Sequence, residues 1–328
     1  MADLRWFAPN QYCSLLVPAL RRAGFSIDTE GDRPAGLAIA LDGQCAVEAF
    51  EHSRRHRCPL LVYLWDLPPW RLGAGRPDVV FGWRGRVRRM PRIVGGYPER
   101  AGYYSRIRFV ARRADWVWAP SSLSARDLGS RFGVTADVVP YCYDSDRFVV
   151  GPWSPHVPPR LLSVSRLVAH KNQAALIRAA ARLTPRPSVR VIGQGPERSA
   201  LAELARAHGV ALEVDAEWRS DDEVVAAYRA ATAVVAPSRF EGFGLSPMEG
   251  VATGIPTVAS DIPPHREHLG ESVTYFQLED DLSLVIAIRL ALEAGPADPA
   301  SVEHLTIDQA ARRFASKLGP LLGRSARR

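Results

Sequence analysis

Lysine is almost missing from this chain: of 42 lysine and arginine residues only Lys171 and Lys317 are lysine. Such a skew reflects genome composition before function, yet it makes each lysine informative, because a compact ammonium where arginine is otherwise used implies a position-specific reason. Cysteine is scarce as well. Cys13, Cys45, Cys58 and Cys142 are scattered with no Cys-x-x-Cys pair, which leaves no paired-thiol motif and reads as reduced, buried thiols. His52 with His56, and His265 with His268, have helix-compatible spacing, but neither pair has a third ligand nearby in sequence, so no metal is expected. The longest apolar stretch, around "PLLVYLWDLPPW", is broken by Asp66 and prolines well short of a bilayer span. The start, "MADLRWFAPN", shows no basic leader followed by an apolar run. A cytoplasmic protein is expected.

What is present is enough apolar material for two cores: 328 residues, 47% of them hydrophobic. Short apolar runs alternate with helix-like stretches from "LRWFAP" through "PLLVYLWD" to "ADVVPY", the pattern of a parallel sheet with helices on both faces. The proline-rich "GPWSPHVPPR" at residues 151–160 interrupts it. The alternation then restarts with "RLLSVSRL", "SVRVIGQ", "AVVAPS" and "PTVAS". The expected organisation is an α/β chain with one doubly wound, Rossmann-like domain over residues 1–150, a second over 151–300, and a C-terminal helix over 301–328 that packs back on the first. Ligands in such sheets bind outside the carboxyl ends of the strands, so two domains would face a cleft there.

The net charge is +7. The densest basic run is "WRGRVRRMPR" at residues 83–92, followed by "YYSRIRFVARR". It reads either as a surface for anionic lipid or an acidic acceptor, or as a solvated arginine-rich face. No nucleic-acid partner is expected.

The chemistry concentrates in "SRFEGFGLSPMEGVATG". "AVVAPS" is a buried strand and "LSPMEGVATG" a helix, so "RFEGFG" is the turn between them. A turn opening a helix presents free N–H groups and partial positive charge, and its glycines let an anion approach the backbone, which suits a phosphate. Glu241 lies in the turn and Glu249 about one helical turn on, so they reach different parts of one ligand. Carboxylates accept well from vicinal hydroxyls. A ligand with phosphates in the middle and polyols at both ends is a nucleotide sugar.

These residues resemble the donor-binding motif of the family 4 retaining glycosyltransferases, which have the two-domain GT-B fold: Glu-Gly-Phe-Gly-Leu, then Glu249, "ATGIPTVASD" and "PHREHLG". "SVSRLVAHKN", "VIGQGPERSAL" and "VVPYCYDSDRF" extend the likeness upstream. The resemblance implies that Arg166 and Lys171 grip the donor diphosphate, that Glu249 holds the ribose hydroxyls and Glu241 the transferred sugar, and that the amides of Phe243, Gly244 and Leu245 lie near sugar and phosphate. Gly193, Gly195 and Glu267 would complete the donor side. It implies a nucleotide-sugar co-substrate, no metal and no other cofactor. Two alternatives stay open, a sugar-nucleotide epimerase of the same fold and a non-catalytic sugar-nucleotide-binding protein.

The first half departs from the family pattern. Where relatives have a glycine-rich turn after the first strand, this chain has "FAPNQYCS", so Asn10 and Gln11 stand on the acceptor side where backbone amides are normally bare. Where many relatives have His-Asp, it has Trp65-Asp66. Either Trp65 replaces the histidine or Asp66 acts in catalysis; the other reading makes Trp65 core and Asp66 a turn cap. "DSD" at Asp144–Asp146 imitates an Asp-x-Asp metal motif but belongs to the exit from the first domain.

Overall fold

The computed structural model describes residues 2–8, 14–65, 67, 97–154, 156–215 and 220–325. Asn10, Gln11, Asp66 and the basic run 83–92 lie outside them. The chain divides into two compact units, residues 1–142 with 307–328, and residues 143–306.

The first unit is built on six parallel strands: β1 (Ala2–Phe7), β2 (Phe25–Asp28), β3 (Leu37–Ala40), β4 (Leu60–Tyr63), β5 (Trp116–Ala119) and β6 (Asp137–Val138), in the order β2-β1-β3-β4-β5-β6. "LAIA" and "LLVY" of β3 and β4 are buried at every position, as a sheet covered on both faces requires. The helices α1 (Leu16–Arg22), α2 (Ala46–His56), α3 (Tyr97–Ala111) and α4 (Ser122–Phe132) connect them. α4 is bounded as its sequence dictates, with Ser121 accepting from the amide of Ser124 and Gly133 left-handed at the other end. In α3 the residues Tyr104, Ile107, Val110 and Ala111 are buried. The apolar members of "YYSRIRFVARR" from Tyr104 onward therefore serve the core rather than a lipid-facing surface. The exposed exception, Phe109, lies under the Arg113 guanidinium.

The second unit repeats the plan with β7 (Arg160–Val164), β8 (Ser188–Ile192), β9 (Leu212–Asp215), β10 (Ala233–Ala236), β11 (Thr257–Ser260) and β12 (Thr274–Phe276). All neighbours are parallel, in the order β12-β11-β10-β7-β8-β9. Its helices are α5 (Gln173–Ala180), α6 (Arg198–His208), α7 (Asp221–Arg229), α8 (Leu245–Ala252), α9 (Pro263–Leu269) and α10 (Asp281–Ala294). Counted within the unit the strand order is 3-2-1-4-5-6, and the direction of winding reverses between β7 and β10. That crevice is where an open α/β sheet of this order takes a ligand.

The division between units falls at Cys142/Tyr143, before the prolines, because Phe148 already packs edge-on against Tyr228 of α7. The proline-rich stretch is itself docked: the Trp153 indole donates to the Thr232 carbonyl at 3.1 Å. The final helix, α11 (Ile307–Ser325), belongs to the first unit. Its Phe314 is fully buried among Tyr63, Trp118 and Tyr141, with ring centroids 5.3–5.9 Å apart. Among the described residues no helix is long and apolar enough to cross a membrane.

Candidate active site

The carboxyl end of β7 runs into a loop, a 3-10 turn over Ala169–Lys171 and then α5. Asn172, left-handed with φ 58°, reverses the chain between turn and helix, and Gln173 ties the loop down by donating to Ser165 Oγ at 2.8 Å and to the Arg166 carbonyl at 3.0 Å. The loop after β8 clamps it from the other side. Ser165 N donates to Ile192 O at 3.0 Å and Leu167 N to Gln194 O at 2.8 Å. Gly193 and Gly195 permit this approach: a Cβ on either would stand 2.0 Å from the Ser165 carbonyl or 2.2 Å from that of Leu167. These glycines therefore set the position of the Arg166–Lys171 segment. The Arg166 side chain is exposed and has no ion pair among the described residues.

The turn after β10 meets that segment across the crevice. Arg239 N donates to the His170 carbonyl at 2.7 Å, and its guanidinium to the Ala169 carbonyl at 3.2 Å. Lys171 Nζ and Glu241 Oε1 then close to 2.5 Å, each side chain about 15% exposed. Burial pushes the Glu241 carboxyl up, but the Lys171 ammonium and a hydrogen bond from Ser238 outweigh it and hold it below its ordinary value. The pair is thus an ionised one in which a three-donor ammonium spends one donor on Glu241.

Gly244 precedes α8 with φ 92°, a left-handed conformation that suits glycine. Space demands it as well, since a Cβ there would come within 2.7 Å of the His265 ring. Among the described residues no side chain caps this helix, and the Leu245 and Ser246 amides open its first turn without intrahelical acceptors. Phe243 is buried against His268, ring centroids 4.5 Å apart. His265 is wholly buried and donates from Nδ1 to the Ser260 carbonyl at 2.9 Å, which leaves Nε2 as an acceptor with no partner among the described residues. Burial lowers its basicity and keeps it neutral.

Glu249, one turn into α8, is buried. The Tyr228 hydroxyl of α7 donates to its Oε2 at 2.8 Å and lies 3.2 Å from Ser246 Oγ. Burial pushes this carboxyl up to about 7; the Tyr228 hydrogen bond opposes the rise, and Asp144 and Asp221 add to it. One carboxylate of the turn is therefore held charged, and the other is poised near neutrality.

The structure thus brings Arg166, Lys171, Gly193, Gly195, Glu241, Phe243, Gly244, Leu245 and Glu249 onto three adjoining turns of one unit. Glu267 is placed differently. It is exposed and lines a cavity of about 590 Å³ with Pro256, Thr274, Ala297 and His304, at the amino ends of β11 and β12. Trp65 is half-buried, T-shaped against Tyr141, and its indole donates to the Leu41 carbonyl at 3.2 Å. Asp144 of the "DSD" sits 3.4 Å from the Arg147 guanidinium. His52 and His56 have no third potential ligand nearby in sequence, but the loop after β2 brings Asp32 to both in space. Tyr228 and Ser238 escaped the sequence reading, and His265 was weighed there only as one of a helix-spaced histidine pair. The one available signal was Tyr228 on the buried stripe of α7 with Val225, where a phenol needs a partner.

Residues 152–301 match the family described as glycosyl transferases group 1. Over 101 residues the chain is 34% identical to the lipopolysaccharide core biosynthesis mannosyltransferase LpsB of Rhizobium meliloti, covering 27% of this chain and 29% of that protein. Over 157 residues it is 33% identical to glycogen synthase of Mycobacterium tuberculosis, covering 45% and 36%. The chain thus spans about a third of the length of the curated relatives it matches. Among solved structures, Anabaena HepE in complex with UDP and glucose superposes with a TM-score of 0.70 at 15% identity, over 97% of this chain and all of that one. Sucrose-phosphate synthase from Thermosynechococcus elongatus gives 0.66 at 16% identity over 99% of both. The chain carries the GT-B fold of two Rossmann-like domains, and its second unit resembles the glycosyl transferases of group 1 over residues 152–301.

Proposed function

We propose that the chain is a retaining glycosyltransferase that moves a sugar from a nucleotide diphosphate donor to an acceptor hydroxyl without a metal. The observation that carries this reading is the Lys171–Glu241 pair at the winding reversal, beside an uncapped, glycine-preceded helix. Lys171 and Arg166 would take the diphosphate, whose charge grows as the bond to the sugar breaks, and the α8 amides would add fixed dipoles. Glu241, kept ionised by Lys171, would accept from sugar hydroxyls, and Glu249 from those of the ribose. The acceptor oxygen bonds to the anomeric carbon on the face from which the diphosphate leaves, and a leaving phosphate oxygen takes the acceptor's proton. No enzyme nucleophile is needed; orientation and charge stabilisation supply the rate.

HepE was solved with UDP-glucose and with UDP, which supports uridine diphosphate sugars as the first donors to try. A cytoplasmic location with peripheral contact of residues 83–92 on anionic membrane completes the proposal. The test is a ligand-detected binding screen of nucleotide sugars, followed by transfer assays with and without acceptor. A bound donor lost on Lys171→Ala, and a product keeping the donor's anomeric configuration, are expected. An isomerised donor formed without acceptor, or no binding to any nucleotide sugar, would overturn the reading.

A further inference from the structure

We propose that Asp32, His52 and His56 form a site for one divalent transition-metal ion, coordinated by Asp32 Oδ1, His52 Nδ1 and His56 Nε2. α2 carries the two histidines four residues apart on one face, with ring centroids 4.4 Å apart. The loop between β2 and β3 delivers the carboxylate, and one oxygen, Oδ1, faces both rings at 3.1 Å from His52 Nδ1 and 2.7 Å from His56 Nε2. The three ligand atoms lie within 4.8 Å of one another. Neighbouring ligands on a tetrahedral zinc with bonds of about 2.0–2.1 Å stand about 3.3 Å apart. Opening the two short edges by a few tenths of an ångström therefore admits an ion.

The chemistry selects the class of ion. Two imidazoles and one carboxylate oxygen suit zinc, nickel, cobalt or copper and offer too few oxygens for magnesium or calcium. His52 is buried, His56 partly buried and Asp32 half-exposed, so an ion has an open approach and a fourth position for water. The other oxygen of Asp32 is held by the Arg55 guanidinium. That contact orients the carboxylate as an outer-shell partner does, while its positive charge weakens the attraction for a cation. The ion would clip the β2–β3 loop to α2 in the first unit, which contains none of the residues assigned to the donor, so the proposal stands independently of glycosyl transfer.

The full chain, stripped with chelator and dialysed, is titrated with zinc, nickel and magnesium chlorides by calorimetry, and with cobalt by absorption. One zinc per chain with micromolar affinity is expected, with no magnesium binding and no thiolate-to-cobalt charge-transfer band. His56→Gln and Asp32→Asn should each weaken zinc at least about tenfold. Arg55→Gln should tighten it, a gain that a folding defect could not imitate. Unchanged affinity in both ligand variants, a thiolate band, or weaker binding in Arg55→Gln would overturn the site.

Discussion

Replacing Glu249 with glutamine should stabilise the second unit, by an amount that grows as pH rises from 4.5 to 7 and then levels off. The Glu249 carboxyl is pushed from its ordinary 4.5 up to about 7, chiefly by burial. Below 4.5 it is protonated both folded and unfolded, and contributes nothing. Between 4.5 and 7 the unfolded chain has released the proton and the folded chain has not, so each rise in pH favours unfolding; above 7 the penalty is constant. At about 1.4 kcal/mol per pH unit the full penalty is about 3 kcal/mol, of which about 0.8 is already present at pH 5. Glutamine is shaped like the protonated acid, keeps an acceptor for Tyr228 and never ionises. The Gln variant's advantage should therefore grow by about 2.5 kcal/mol between pH 5 and pH 8, or about 5–10 °C in the midpoint of a unit this size. Scanning calorimetry of both proteins at the two pH values measures it. The same variant should lose affinity for free nucleotide diphosphate, because an amide neither carries charge nor accepts from both ribose hydroxyls. An advantage independent of pH, or one that shrinks toward pH 8, would refute the buried-carboxyl argument; normal nucleotide binding would refute the ribose assignment.

Lys171→Ala should lower kcat/KM by at least about a hundredfold, about 3 kcal/mol of transition-state stabilisation, and Lys171→Arg should not restore it, because a planar fork cannot replace a compact ammonium; near-normal single-turnover rates would remove Lys171 from the mechanism. Gly195→Ala places a methyl group 2.2 Å from the Leu167 carbonyl, so it should cost at least about 2 kcal/mol in urea denaturation and weaken the donor; a neutral effect would mean that the loop yields more readily than its hydrogen bonds imply. Transfer should persist in excess EDTA and after Asp144→Asn with Asp146→Asn, whereas inactivation reversed by magnesium or manganese would put a metal in the reaction. If residues 83–92 touch membrane, sedimentation with anionic vesicles should fall steeply with salt and disappear on charge reversal of Arg86, Arg88 and Arg89; equal partitioning would leave them a solvated face.

The strand–helix alternation was legible because strands buried on both faces, such as "LAIA", "LLVY" and "AVVA", read as unbroken apolar runs between turn residues. The turn from Glu241 to Leu245 was legible for the same local reason, since a glycine that must turn left-handed next to a helix start marks itself. Long-range pairings were hidden. Tyr228 meets Glu249 across 21 positions and His52 meets Asp32 across 20, and nothing in either local pattern names the partner. Gly193 and Gly195 answer a second need that the Gly-x-Gly pattern does not reveal: the nearest atoms to their missing Cβ positions are the backbone of another loop.

The return of α11 to the first unit has a consequence for how the chain is made. Synthesis delivers residues 1–142 before residues 143–306, yet Phe314, which fills the space between Tyr63, Trp118 and Tyr141, follows both. The second unit, residues 143–306, is contiguous and has all its parts as soon as it emerges. The usual amino-to-carboxyl order of domain completion is thereby inverted. Until α11 has been made, the earlier-made unit carries an unfilled aromatic cluster, and that partly made state exposes more apolar surface to aggregation than the folded unit does.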